Sequence, residues 1–192
     1  MLNIVNMQEI ENNLMQVPGM IRMYETDSPG FSSGVKSWLI QLEKTLEANR
    51  LYACSEIAVL RGRIISAEKG VIPENIKFSK QKSHRKTVEA VAFDMLRQAS
   101  ELASGILKGP ALQIDEAEKY MKQVVAVAER KGLMSSENSG IDRSGFLGST
   151  WKRLVSDAEL GAVCTHIRGL VSSSDVLILL DRALAGYNPA AY

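Results

Sequence analysis

The chain has 192 residues, 45% apolar and 23% charged, with 23 Lys+Arg against 22 Asp+Glu and a formal net charge of +1. Such a chain suffices for one domain or two small ones, and its composition excludes collagen-like, low-complexity and strongly disordered proteins. No apolar run approaches the roughly 18 residues of a membrane span, and the start MLNIVNMQEIENN lacks the basic and apolar regions of a secretory signal. No membrane association and a cytoplasmic location are therefore expected. Two cysteines, Cys54 and Cys164, cannot form a disulfide framework and read as reduced, mostly buried thiols.

Asn6 and Glu9 stand at capping-box spacing, with Met7, Ile10, Leu14 and Met15 at helical intervals. They predict a short N-terminal helix that Pro18-Gly19 interrupts. Met20, Ile21, Met23 and Tyr24 add a further turn, closed by the polar loop Asp27-Ser28-Pro29-Gly30.

From Gly34 to Lys69 the apolar positions Val35, Leu39, Leu42, Leu46, Ala53, Ile57, Leu60, Ile64 and Ala67 recur at helical intervals. This longest periodic stretch predicts one helix of roughly 50 Å. Ser32 or Ser33 would cap it, and Gly70 would end it in the left-handed conformation. Gly62 is a point where it can bend or break. Asn49 falls on the apolar seam, where a coiled coil can use a polar residue to fix register; an intramolecular bundle helix is the plainer reading.

Val71 to Phe78 reads as a connector containing Pro73. Lys80 to Lys108 resumes the helical pattern with the stripe Val88, Val91, Met95, Ala99, Leu102 and Ile106, and Gly109-Pro110 is expected to end it. Asp115 and Glu118 form a second capping box ahead of Tyr120, Met121, Val124, Val125 and Ala128, with Gly132 as the stop. Leu133 to Ser149 is rich in Ser, Gly and Asn and reads as a loop or linker.

Beyond it, Ser156 and Glu159 would cap a helix bearing Leu160, Val163, Ile167, Leu170 and Val171, and Ser172-Ser173-Ser174 begins another. The last helix, Asp175 to Gly186, carries five consecutive apolar residues from Val176 to Leu180. Apolar groups on nearly every face require a central place in a core or cover by a partner.

No strand pattern outcompetes these helices, and no Asn-Gly or Asp-Gly hairpin occurs. The expected fold is all-α, a multi-helix bundle of about six to seven helices including one long helix. A helical domain is expected over 1–132, a flexible loop or linker over 133–149, and a C-terminal helical subdomain over 150–192.

Chemistry-bearing patterns are sparse. The stretch from Ser28 to Ser37 has glycines, Lys36 and a serine before a helix, but its spacing departs from that of a phosphate-binding P-loop. His84 stands among basic residues, and Cys164 and His166, two apart on a helix, point to different faces. The carboxylate pairs Glu43/Glu47 and Asp115/Glu118 read as helix surface and helix start. No catalytic residue, cofactor or metal is assigned, and a non-enzymatic protein is expected.

The distinctive segment is Lys77 to Lys86, with five basic residues and no acid in ten positions. Lys77, Lys80, Lys82, Arg85 and Lys86 would contact phosphate or an acidic partner, with Phe78 available for stacking and Arg61 and Arg63 joining if the connector folds back. The bland alternative is a solvated charged surface.

Two functions follow. The first is a helical scaffold or adaptor acting by self-association or protein docking, with Leu39, Leu42, Leu46, Leu60, Leu177 and Leu180 as candidate interface and a protein partner or homo-oligomer implied. The alternative is a nucleic-acid-associated helical protein, nucleoprotein-like or a small subunit of a larger assembly, binding phosphate backbone through residues 77–86.

Overall fold

The structure is a computed structural model and describes residues 2–71, 83–134 and 142–186. Among these residues the fold is all-α, a multi-helix bundle with one long helix and no strand. The elements are α1 (Ile4–Leu14), α2 (Val17–Glu25), α3 (Phe31–Ala48), α4 (Ala53–Glu68), α5 (His84–Arg130), α6 (Arg143–Ser156), α7 (Gly161–Leu170) and α8 (Ser173–Gly186). Two compact units divide the chain: Val5–Lys108, and Gly109–Tyr192 together with Met1–Ile4. The segment anticipated as a linker, 133–149, falls within the second unit, and residues 135–141 lie outside the described ones.

In the unit Val5–Lys108, α3 and α4 pack as a helical hairpin. Phe31, Val35, Trp38, Leu39, Leu42 and Leu46 line the inner face of α3, and Ile57, Leu60, Ile64 and Ala67 that of α4. Val91, Met95, Leu96 and Ala99 of α5 are buried with no more than 1% exposure. Each large aliphatic side chain so buried contributes about 1.5–3 kcal/mol relative to exposure. Polar ties register the helices. The Trp38 indole N–H donates to the Asn13 carbonyl at 2.8 Å, and the Asn13 amide donates to Thr45 Oγ1 at 3.2 Å. Tyr24 stacks on Phe93 at 4.4 Å between ring centres.

The single helix expected over 34–69 is instead two. Arg50 adopts φ +55°, its N–H donates to the Glu47 carbonyl at 2.8 Å, and the Leu51 N–H donates to the Leu46 carbonyl at 2.9 Å. That paired bonding is a Schellman terminus, normally built on glycine, here on arginine. Asn49 therefore fixes no register: it ends α3, its amide returning to the Thr45 carbonyl at 2.8 Å. Gly62 leaves α4 unbroken. The same terminus recurs at Asp27, at Gly70 and at Gly132, the two glycines as expected.

The long helix is α5, and it runs through Gly109-Pro110 rather than stopping there. Proline removes one amide donor, but the apolar stripe keeps helical phase across it: Leu107 and Ala117 are buried, with Pro110 and Ile114 half-buried between them. Asp115 and Glu118 consequently sit inside a continuous helix and cap nothing. Other expected caps shift similarly. Asn6 lies within α1, Pro18 opens α2, and Ser32 and Ser33 lie inside α3, whose N-cap is Gly30.

In the second unit, one core gathers Met121, Val124, Val125 and Ala128 of α5 with Leu154, Cys164, Ile167, Val176, Leu179 and Leu180. The apolar α8 is thus covered by its own unit. α6 was not expected. Asp142 caps it, its carboxylate accepting from the Gly145 N–H at 2.9 Å. At the next boundary Ser156 ends α6 with Asp157 as its C-cap, and the Asp157 carboxylate accepts from the N–H groups of Glu159 and Leu160 at 3.0 and 3.1 Å in the turn ahead of α7. The N-cap of α7 is Leu160, so Ser156 does not cap it. Gly161 is required by packing, since a Cβ there would stand 2.9 Å from the Val155 carbonyl oxygen. Among the described residues, no single helix is long and apolar enough to cross a membrane.

Candidate functional site

Of the basic segment, Lys77, Phe78, Lys80 and Lys82 lie outside the described residues. Arg85 and Lys86, in the first turn of α5, are engaged within the molecule. The Arg85 guanidinium pairs with Glu89 at 2.7 Å and donates to the Asp27 carbonyl at 2.8 Å. Lys86 lies 3.7 Å from the Asp27 carboxylate. His84 donates to the Glu68 carbonyl at 3.2 Å, and Glu68 in turn holds Lys36 at 2.6 Å. The start of α5 is therefore a clasp onto the ends of α2 and α4, in which cations meet carboxylates and orphan helix-end carbonyls.

Arg61 and Arg63 do not share a surface. Arg61 faces α3 and pairs with Glu43 at 3.1 Å. Arg63, two residues on, points to another face of α4. There it lines an open groove of about 490 Å³ with Glu56, Val59 and Leu60 of the same helix and Glu101 and Leu102 of α5.

Val59 is 57% exposed in this groove, Leu60 is 7% exposed at its floor, and Leu102 is half-buried. Glu56 is exposed in the first turn of α4. Among the described residues neither Glu56 nor Arg63 has an ion-pair partner, whereas Glu101 is held by Arg97 at 2.8 Å. The groove thus presents apolar surface between an acidic and a basic end. Tyr52, 94% exposed, stands at the α3–α4 turn.

The six leucines expected at an interface sort differently. Leu39, Leu42, Leu46 and Leu180 are fully buried, and Leu177 is half-buried against the second unit's core. The four buried leucines supply core, because a side chain without accessible surface has none to offer a partner. Leu60 also lines the groove. Val59, Glu56 and Leu102 were not singled out as interface residues. Their signal was present: Val59 is an apolar residue off the buried positions Ile57, Leu60, Ile64 and Ala67.

Cys164 and His166, close in sequence, stand in different surroundings. Cys164 is fully buried in the second unit, and burial, aided by the Asp157 charge, pushes its thiol up to about 11. His166 turns elsewhere, meeting the Tyr120 ring edge-on at 5.0 Å and the Glu116 carboxylate at 3.6 Å. Among the described residues, no group of three or more His, Cys, Asp or Glu is placed to hold a metal ion. In comparisons with known proteins, no family model, curated protein or solved structure matches this chain.

Proposed function

We propose that this chain is a non-enzymatic helical scaffold or adaptor that acts by protein–protein association, with itself or with a docked partner. The α4–α5 groove carries the reading. It exposes Val59 beside Leu60 and Leu102, and it sets Glu56 and Arg63 at opposite ends of that apolar strip. An apolar centre with a polar rim is the general anatomy of a protein interface. The non-catalytic part of the reading is supported by a Cys164 thiol held protonated in the core and a His166 directed away from it. Arg61, Arg85 and Lys86 already meet Glu43, Glu89 and Asp27, which favours protein association over phosphate binding.

The test is solution mass by light scattering, with and without a short mixed-sequence RNA or DNA, at low and high salt. An oligomer whose mass ignores nucleic acid supports the reading. A mass increase that appears only with nucleic acid and vanishes at high salt overturns it, because phosphate contacts release counterions and are steeply salt-dependent.

A further inference from the structure

We infer that the α4 face of the groove is a self-complementary interface, and that its occupant is the α4 of a second copy of this chain, antiparallel about a two-fold axis beside Val59 and Leu60. This rests on the scaffold reading and names its partner. A two-fold interface requires that residue i meet residue j while j meets i. The pattern that α4 presents to the groove has that symmetry. With the axis between Val59 and Leu60, Glu56 of each copy faces Arg63 of the other, and Val59 of each copy faces Leu60 of the other.

Glu56 and Arg63 are seven residues apart on one helical face, roughly 10 Å along the axis, too far to pair with each other within the chain. Among the described residues neither has another ion-pair partner. Their two charges are opposite and lie at opposite ends of an apolar centre, so one helix supplies both halves of the complement. Leu102 of α5, half-buried at the groove edge, widens the apolar centre that Val59 of the second copy would enter. Glu101 is paired within its own helix by Arg97, which also holds Asp94 at 3.1 Å.

The experiment is sedimentation of the full chain over a concentration series, comparing the native sequence with Glu56→Arg, Arg63→Glu, the double swap and an equimolar mixture of the two single variants. Circular dichroism confirms retained helix in each. Every single reversal places like charges opposite each other at both symmetric contacts, and each is expected to weaken the dimer about tenfold or more. The double swap restores both pairs. The mixture also restores both: a copy carrying Glu56→Arg is basic at both ends of the apolar strip, and a copy carrying Arg63→Glu is acidic at both. The mixed dimer therefore forms where neither variant dimerises well alone.

Val59→Asp, at a position exposed in the single chain, is expected to abolish the dimer without unfolding the helices. A native dimer indifferent to the single reversals would overturn this interface while leaving the scaffold reading standing. A native chain that stays monomeric at every concentration would overturn the interface and remove self-association from that reading.

Discussion

The carboxylate of Asp175 accepts a hydrogen bond from the backbone N–H of Ile4 at 3.0 Å, across 171 residues of sequence. Its other oxygen accepts from the Ser172 hydroxyl at 2.7 Å, while the Ser172 oxygen accepts from the Asp175 N–H at 3.2 Å. Asp175 is only 1% exposed, in the first turn of α8, where the helix dipole favours negative charge. Ser172 thus caps α8, while the Asp175 side chain holds that cap and anchors the start of α1. Asp175→Ala is expected to cost about 2 kcal/mol, the scale of a buried hydrogen bond to a charged group. Urea denaturation measures the loss, and amide exchange at Ile4 should rise with it.

Cys164 is expected to be inert in the folded chain. With its thiol pushed up to about 11, the thiolate at pH 8 is roughly one part in a thousand, and the group has no exposed surface. Titration with an aromatic disulfide reagent should therefore modify Cys54, which is half-buried, well before Cys164. Adding denaturant should make both react. Rapid native reaction of Cys164 would contradict its burial.

Lys131 bridges Asp157 and Glu159, each at 2.8 Å. The hydrogen bond from Lys131, with those from the Leu160 and Glu159 N–H groups, holds the Asp157 carboxyl below its ordinary range. Bonds to Asp157 and Glu159 hold Lys131 above its own. Because the folded-state pKa of Asp157 is depressed, its contribution is present above the unfolded carboxylate range and is lost as pH falls through the folded value. For Lys131 the sign reverses: the contribution is full below the unfolded lysine value and is lost as pH rises through the folded one. Asp157→Asn should lower stability at pH 7 and flatten the acid limb of a stability–pH curve measured by urea melts.

Arg50 holds a left-handed conformation at φ +55°, which costs a non-glycine residue on the order of 1 kcal/mol. Arg50→Gly is expected to raise stability by up to about 1 kcal/mol, less the entropy that glycine adds to the unfolded chain. Thermal melting measures it. A loss of stability would mean that the arginine side chain, rather than its backbone, secures the α3–α4 turn.

The all-α class was legible because the apolar spacing of Val35, Leu39, Leu42 and Leu46, and later of Met121, Val124 and Ala128, keeps helical phase and buries those positions. Gly70 and Gly132 were legible as helix ends because glycine carries its own conformational signature. Arg50 takes the same conformation without one, so the α3–α4 break was invisible. Pro110 misled in the opposite direction: read locally it stops a helix, but it lies in phase with Leu107, Ile114 and Ala117, and burial along that stripe continues. The groove was legible only in fragments. Leu60 was picked out as an interface residue and Arg63 as a phosphate or acidic-partner contact, but their meeting with Leu102 depends on packing between helices remote in sequence.

Sedimentation of the native chain across a wide concentration range, free of nucleic acid, tests the central claim of association through protein surfaces most directly. A reversible shift from the mass of one chain to that of two is expected as concentration rises. A single-chain mass throughout, joined by a mass increase only when RNA or DNA is added at low salt, would contradict it.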